Sequence, residues 1–106
     1  MKSAEFDEIL HRRFGLSESV MGCKAGEYAS DKDRLHNFKA AAAMLGCTSA
    51  QALAGFLAKH IVSVMDLVRN DKTPSQQLSD EKIGDCINYF ILLEAIWKEQ
   101  RDEKKD

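Results

Sequence analysis

Apolar positions in this chain recur at three- and four-residue steps in five separate stretches, and no stretch alternates with a period of two. Phe6, Ile9, Leu10 and Phe14 share one side of a first helix predicted over 3–14, opened by Ser3 and stopped by Gly15. Glu5, Glu8, Arg12 and Arg13 lie on its other side, with His11 between the faces. A second helix is predicted over 17–29, with Val20, Met21 and Ala25 as its apolar positions. Gly22 and Gly26 weaken it by roughly 1 kcal/mol each, and they let another helix come close. A third is predicted over 34–45, carrying the small, helix-favouring run Ala40, Ala41, Ala42 and Ala43 and closed by Gly46 as the residue past its end.

The fourth helix is predicted to open at Thr48 with a capping box, Gln51 standing three residues on, and to run to about Arg69. The fifth is predicted over 79–97. Ser79 is its cap, Asp80 and Glu81 sit at the positive end of its dipole, and Ile83, Ile87, Phe90, Leu93 and Trp97 form a buried face. Residues 70–77, with the only proline, form the loop between them, and the charged or polar tail 98–106 is predicted to fray or to project into solvent. Short loops between long helices imply antiparallel neighbours. The expected fold is therefore all-α, a single-domain antiparallel bundle of about five helices. The wide apolar faces of the fourth and fifth helices further imply a homo-oligomer.

Composition narrows the function classes. A chain of 106 residues with 44% hydrophobic and 30% charged residues is an ordinary globular domain. A net charge of −2 argues against extended nucleic-acid binding, although not against a local basic pocket. Three cysteines, Cys23, Cys47 and Cys86, without paired spacing read as small buried thiols rather than a disulfide framework or a zinc site. The acidic start lacks a signal-peptide apolar run, and no segment reads as a membrane span, so the expected location is the cytoplasm with no membrane partner.

The chemistry-bearing residues sit on helices. Glu81, Asp85, Asn88 and Tyr89 recur at helical spacing beside the apolar face of the fifth helix, where unpaired polar groups are costly. Asp85, between Ile83 and Ile87, is the strongest candidate. Glu27 and Tyr28 on the second helix, Arg34, His36, Asn37 and Lys39 at the third, and Lys59, His60 and Asp66 on the fourth add further polar groups. Carboxylates from separate helices can converge on Mg²⁺, which accepts a few carboxylates with waters and phosphate oxygens. Nearby Lys and Arg neutralise phosphate, and aromatic rings stack on a base. Each of these residues also has a bland reading, as a structural ion pair or, for His60, a hydrogen-bonded core histidine.

The order Lys24-x-x-Glu27-Tyr28, Asp33-Arg34-Leu35-His36-Asn37-Phe38, Ala58-Lys59-His60 and Glu81-Lys82-Ile83-Gly84-Asp85-x-x-Asn88-Tyr89 resembles small phage and prophage proteins of the nucleotide modification associated domain 1 family. The likeness spans about residues 24–93. It implies a setting in phage nucleotide metabolism or modified-base chemistry. A more distant likeness is to the all-α nucleoside triphosphate pyrophosphatases of the MazG and dimeric dUTPase type, which hold Mg²⁺ with acidic residues on neighbouring helices. This chain departs from their Glu-Glu-x-x-Glu and Glu-x-x-Asp signature. It offers Glu18 and Glu27, nine apart, and Glu81 and Asp85, four apart.

Three functions follow as expectations. In a Mg²⁺-dependent pyrophosphatase-like enzyme, Glu27, Glu81 and Asp85 hold metal, Arg34 and Lys59 contact phosphates, and Tyr28, Asn37, Phe38 and Tyr89 shape the base or sugar pocket. Lys24, His60 and Asn88 complete the ligand-binding set. In a non-catalytic protein the same residues sequester a nucleotide or a cyclic-nucleotide signal of the host. In a helical interaction protein the polar stripe only fixes assembly.

Overall fold

Among the described residues Leu53 is the fully buried large side chain, and the helices are arranged around it. The structure, a computed structural model, describes residues 1–22 and 33–104. Over these residues the chain forms four α-helices and no strand: α1 Ser3–Met21, α2 His36–Leu45, α3 Ser49–Arg69 and α4 Gln76–Glu103. Leu35, Phe38, Leu53, Leu57 and Ile96 make the core, with Ile61, Cys86, Tyr89, Leu92 and Leu93 packed against it.

Local chemistry explains most of the boundaries. The Thr48 hydroxyl accepts a bond from the Gln51 amide at 3.1 Å, and the Gln51 side-chain oxygen accepts from the Thr48 amide at 2.9 Å, so the capping box is complete. Gly46 ends α2 with φ +68°, a left-handed conformation that favours glycine. α4 starts earlier than the pattern predicts. Its cap is Ser75, whose hydroxyl accepts from the Leu78 amide, because Pro74 just before it cannot continue a helix backwards. Asp80 therefore lies one turn inside α4, free to bind another helix.

Two further expectations are corrected. Gly15 does not end α1, which runs on to Met21 and absorbs the first residues of the expected second helix. Continuing the helix brings Leu16 and Ser17 against α4, and that packing outweighs the roughly 1 kcal/mol cost of one glycine. The rest of the expected second helix, 23–29, lies outside the described residues. Of the two outcomes expected for the tail, fraying is the one that fails: α4 continues to Glu103, with 98 and 101–103 exposed along it. Lys98 pairs with Asp102 one turn on, Lys39 of α2 reaches Glu99 at 2.6 Å, and Ile96 is buried. Lys39 also holds Asp33 at 2.8 Å; both carboxylates raise the ammonium's pKa, and Lys39 in turn lowers that of Asp33.

α3 lies antiparallel between α2 and α4, joined to them by short turns as expected. α1 differs. Among the described helices it touches α4 alone, and it runs parallel to it: Arg12 meets Asp80 near the start of α4, and Met21 lies beside Ile91 farther along. The antiparallel rule governs helices joined by a short loop, and α1 and α4 are not consecutive. The described molecule is elongated, 48 × 29 × 27 Å, with a radius of gyration of 16.1 Å against the ~13 Å of a compact chain of this length. By length and composition α3 could cross a bilayer, a weak signal that the pattern had not predicted. Here it is the middle helix of the three and carries Lys59, His60 and Asp66. Cys47 and Cys86 are free and half-buried, and burial, aided by Asp85, raises the Cys86 thiol's pKa.

Two predictions follow. A Cβ at Gly15 meets nothing within 4 Å, so Gly15→Ala should stabilise the protein by about 0.5–1 kcal/mol in denaturant titration. A loss of stability would restore the break in α1. Asp80 is held down to about 2, first by the Arg12 hydrogen bonds. A depressed carboxylate stabilises fully above its unfolded value, about 4, and loses that contribution as pH falls through its folded value. Protection factors for amide exchange in α1, taken relative to the intrinsic rate at each pH, should therefore fall between about pH 4 and 2, and Asp80→Asn should remove that pH dependence.

Candidate functional site

The seam between α1 and α4 is built on a small residue. Gly84 is buried, and a Cβ there would lie 2.8 Å from the Arg13 Nη1. The missing side chain lets the Arg13 guanidinium lie across α4, where Nη1 donates to the Asp80 carbonyl oxygen at 3.3 Å and Nη2 stands 3.6 Å from the Asp80 carboxylate. Arg12 binds the same carboxylate through both terminal nitrogens, at 2.5 and 2.6 Å. Such bidentate pairs are the stronger, geometrically specific kind. Two guanidinium groups thus share one carboxylate, and one positive charge is left over beside the seam.

Along one side of the seam runs a cleft of about 380 Å³, within the size range of small-ligand sites, with a few polar groups set in a largely apolar lining. α4 contributes Asp80 and Gly84 from the seam, and Gln77, Glu81, Asp85 and Asn88, which share a side because they recur at four, four and three residues. α1 contributes Arg13, Leu16, Ser17 and Val20. Among the described residues, two buried side-chain polar atoms lack a hydrogen-bond partner, Ser17 Oγ and Asn88 Oδ1, and both residues line this cleft. Ser17 is only 7% exposed. Leaving a polar group buried and unpaired costs about 1–3 kcal/mol, which a polar ligand would recover.

The other flank of the acidic stripe faces α3. His60 Nδ1 lies 3.5 Å from the Asp85 carboxylate, whose side chain is 42% exposed and so better solvated than its place between Ile83 and Ile87 suggested. The His60 ring stacks on Tyr89 with centroids 5.0 Å apart, and Phe38 meets Tyr89 edge-on at 6.2 Å. Lys82, next to this group, donates to the Ser63 hydroxyl.

The structure thus gathers five of the residues singled out by pattern: Glu81, Asp85 and Asn88 in the cleft, His60 and Tyr89 beside it. The others lie elsewhere. Phe38 is in the core, while Lys59 on α3 and Asn37 on the first turn of α2 are exposed. Arg34 donates to the Met21 carbonyl oxygen at 2.7 Å, at the end of α1. Lys24, Glu27 and Tyr28 lie outside the described residues. Arg13, Ser17 and Gln77 escaped the pattern reading. Had the helix been carried through Gly15, Arg13 and Ser17 would have fallen in line with Phe6 and Leu10, as polar interruptions of an apolar stripe.

Among the described residues no three of His, Cys, Asp and Glu come together as a metal-holding group. Glu81 and Asp85, one turn apart, still suit Mg²⁺, which takes one or two carboxylates and completes its shell with water and phosphate oxygens. Compared with models of protein families, with curated proteins and with solved structures, the chain finds no match.

Ser17→Ala removes an unpaired buried hydroxyl, so its unfolding free energy should be unchanged or higher by up to about 1 kcal/mol. A loss of 1 kcal/mol or more would mean that Ser17 serves the fold and not the cleft.

Proposed function

We propose that the α1–α4 cleft binds a nucleotide or a small molecule derived from one, and that the protein is a phage-type nucleotide-handling protein of the Mg²⁺-dependent triphosphate pyrophosphatase kind. The observation that carries this reading is the pairing of two buried, unsatisfied polar atoms, Ser17 Oγ and Asn88 Oδ1, with the Arg13 guanidinium and the Glu81 and Asp85 carboxylates in one cleft. Arg12 and Arg13 outnumber Asp80 by one charge, and since Glu81 and Asp85 make the cleft as a whole negative, a phosphate would enter with the cation that those two carboxylates hold. Glu81 and Asp85 would hold Mg²⁺, with Glu27 as the third ligand implied by the motif order. The metal would supply charge neutralisation for the phosphates. Asn88 and Ser17 offer hydrogen bonds to a sugar or base, and the His60–Tyr89 stack orients the Asp85 carboxylate from behind. In turnover, a water oxygen bonds to the α-phosphorus, the α–β bridging P–O bond breaks, the water's proton passes to solvent, and a nucleoside monophosphate and inorganic pyrophosphate leave. This chemistry draws on the nucleotide pool of the cytoplasm.

A second reading is sequestration without turnover, of a nucleotide or of a cyclic-nucleotide host signal. It is favoured by the acidic set of the cleft: of its three carboxylates Asp80 is tied to Arg12 and Arg13, which leaves Glu81 and Asp85, fewer than the pyrophosphatase signature supplies.

The test is one incubation of the full chain with canonical, deoxy, modified and cyclic nucleotides, in Mg²⁺ and in EDTA, followed by filtration and chromatography of both fractions. Monophosphate and inorganic pyrophosphate appearing only with Mg²⁺, and falling at least about 100-fold in Asp85→Asn, establish the enzyme. Intact nucleotide retained by the protein and released on denaturation, with binding weakened about 10-fold or more in Ser17→Ala and Asn88→Ala, establishes the binder. Nucleotides that all pass through unchanged overturn both.

A further inference from the structure

The two unpaired polar atoms of the cleft belong to one level of the seam. Ser17 stands four residues after Arg13 on α1, and Asn88 stands four residues after Gly84 on α4, beside which the Arg13 guanidinium lies. The two helices are parallel, so both steps run the same way, and Ser17 and Asn88 sit together about 6 Å along the axis from the Arg13 level. Neither is satisfied by the chain itself. A serine inside a helix can bond back to the carbonyl oxygen one turn earlier, yet the Ser17 hydroxyl has no partner in a residue only 7% exposed. Asn88 Oδ1 is an acceptor, and no donor reaches it.

We propose that Ser17 and Asn88 form the sugar end of the cleft and read the 3′-hydroxyl of the ligand, an assignment that rests on the nucleotide reading above and adds which part of the ligand lies where. Hydrogen-bond chemistry selects a hydroxyl. A single hydroxyl oxygen donates its hydrogen to Asn88 Oδ1 and accepts the hydrogen of Ser17. A phosphate, carbonyl or ether oxygen offers no donor and leaves Asn88 Oδ1 unpaired. Distance selects the sugar. With the phosphate at Arg13 and the cation at Glu81 and Asp85, a subsite one helical turn farther along meets the 3′ side of the sugar, and the base lies beyond it. The surroundings agree. Leu16 and Val20 line the cleft on either side of Ser17 in the chain and offer an apolar wall to the carbon face of a sugar ring. A ligand without the hydroxyl leaves two buried polar atoms unpaired, which is the strongest ground on which a site rejects an analogue.

The full chain is titrated with ribo-, 2′-deoxy-, 3′-deoxy- and 2′,3′-dideoxynucleoside triphosphates of each common base, with Ca²⁺ replacing Mg²⁺ to suppress turnover. Ribose 5-phosphate, which has the hydroxyls and a phosphate but no base, is titrated alongside. Calorimetry gives the affinities, and nuclear magnetic resonance follows the Ser17 amide and the Asn88 side-chain amide. Loss of the 3′-hydroxyl should weaken binding about 10-fold or more, and loss of the 2′-hydroxyl less than about 3-fold. In Ser17→Ala the 3′-hydroxyl and 3′-deoxy compounds should bind within about 3-fold of each other, whereas a merely structural Ser17 would leave their ratio unchanged. Nucleotides that bind equally with and without the 3′-hydroxyl, or that depend more on the 2′-hydroxyl, overturn the sugar assignment and leave the nucleotide reading standing. Ribose 5-phosphate that moves the Ser17 and Asn88 signals while no nucleotide binds supports the hydroxyl subsite and overturns the nucleotide reading. Signals unmoved by every compound overturn both.

Discussion

One carboxylate holds the N-terminal helix in place. Asp80 receives both terminal nitrogens of Arg12 and the flank of Arg13, and Gly84, one turn later, clears the space in which Arg13 lies. Without that contact α1 would have few ties to the body, since it reaches none of the other described helices. The contact also sets the register of the parallel pair: Asp80 against Arg12 and Arg13 puts Ser17 beside Asn88 and Met21 beside Ile91. The cleft of functional interest runs along one side of this seam. Its strength comes from geometry and partial burial. The Arg13 side chain is 16% exposed, so water screens it less than it would an ordinary surface pair.

The seam contrasts with the rest of the fold. α2, α3 and the C-terminal half of α4 are joined by aliphatic and aromatic packing around Leu53, with caps that stop each helix at a defined residue. That part resembles a conventional small core. The α1 side instead spends polar groups where apolar ones would have packed more simply. An arginine, a serine and an asparagine line a position that leucines could fill, and two of their polar atoms are unsatisfied. Stability alone does not select such an arrangement. The same logic places His60 and Tyr89 at the border between the two regions, with one flank in the core packing and the other at the acidic stripe.

What the amino-acid sequence determined by itself is local. Helical period, the capping box at Thr48 and Gln51, the left-handed Gly46 and the absence of any alternating stretch are properties of a few neighbouring residues, and they specify an all-helical chain before any tertiary contact forms. The stripe Glu81–Asp85–Asn88 was legible for the same reason, since residues at helical spacing must share a side wherever the helix goes. Tertiary structure decided everything that depends on a partner helix. Gly15 reads as a stop until packing of Leu16 and Ser17 on α4 offsets its cost. Residues 98–103 read as a frayed or projecting tail until Lys39 of α2 meets Glu99. Arg13 reads as a solvent-facing charge until Gly84, seventy-one positions along the chain, makes room for it. Helical spacing constrains which residues share a face. It carries no information about which face meets which, because that choice rests on shape and charge complementarity between segments far apart in the chain. The cleft belongs to that second class: half its lining was readable on α4, and the half on α1 existed only once the two helices were laid side by side.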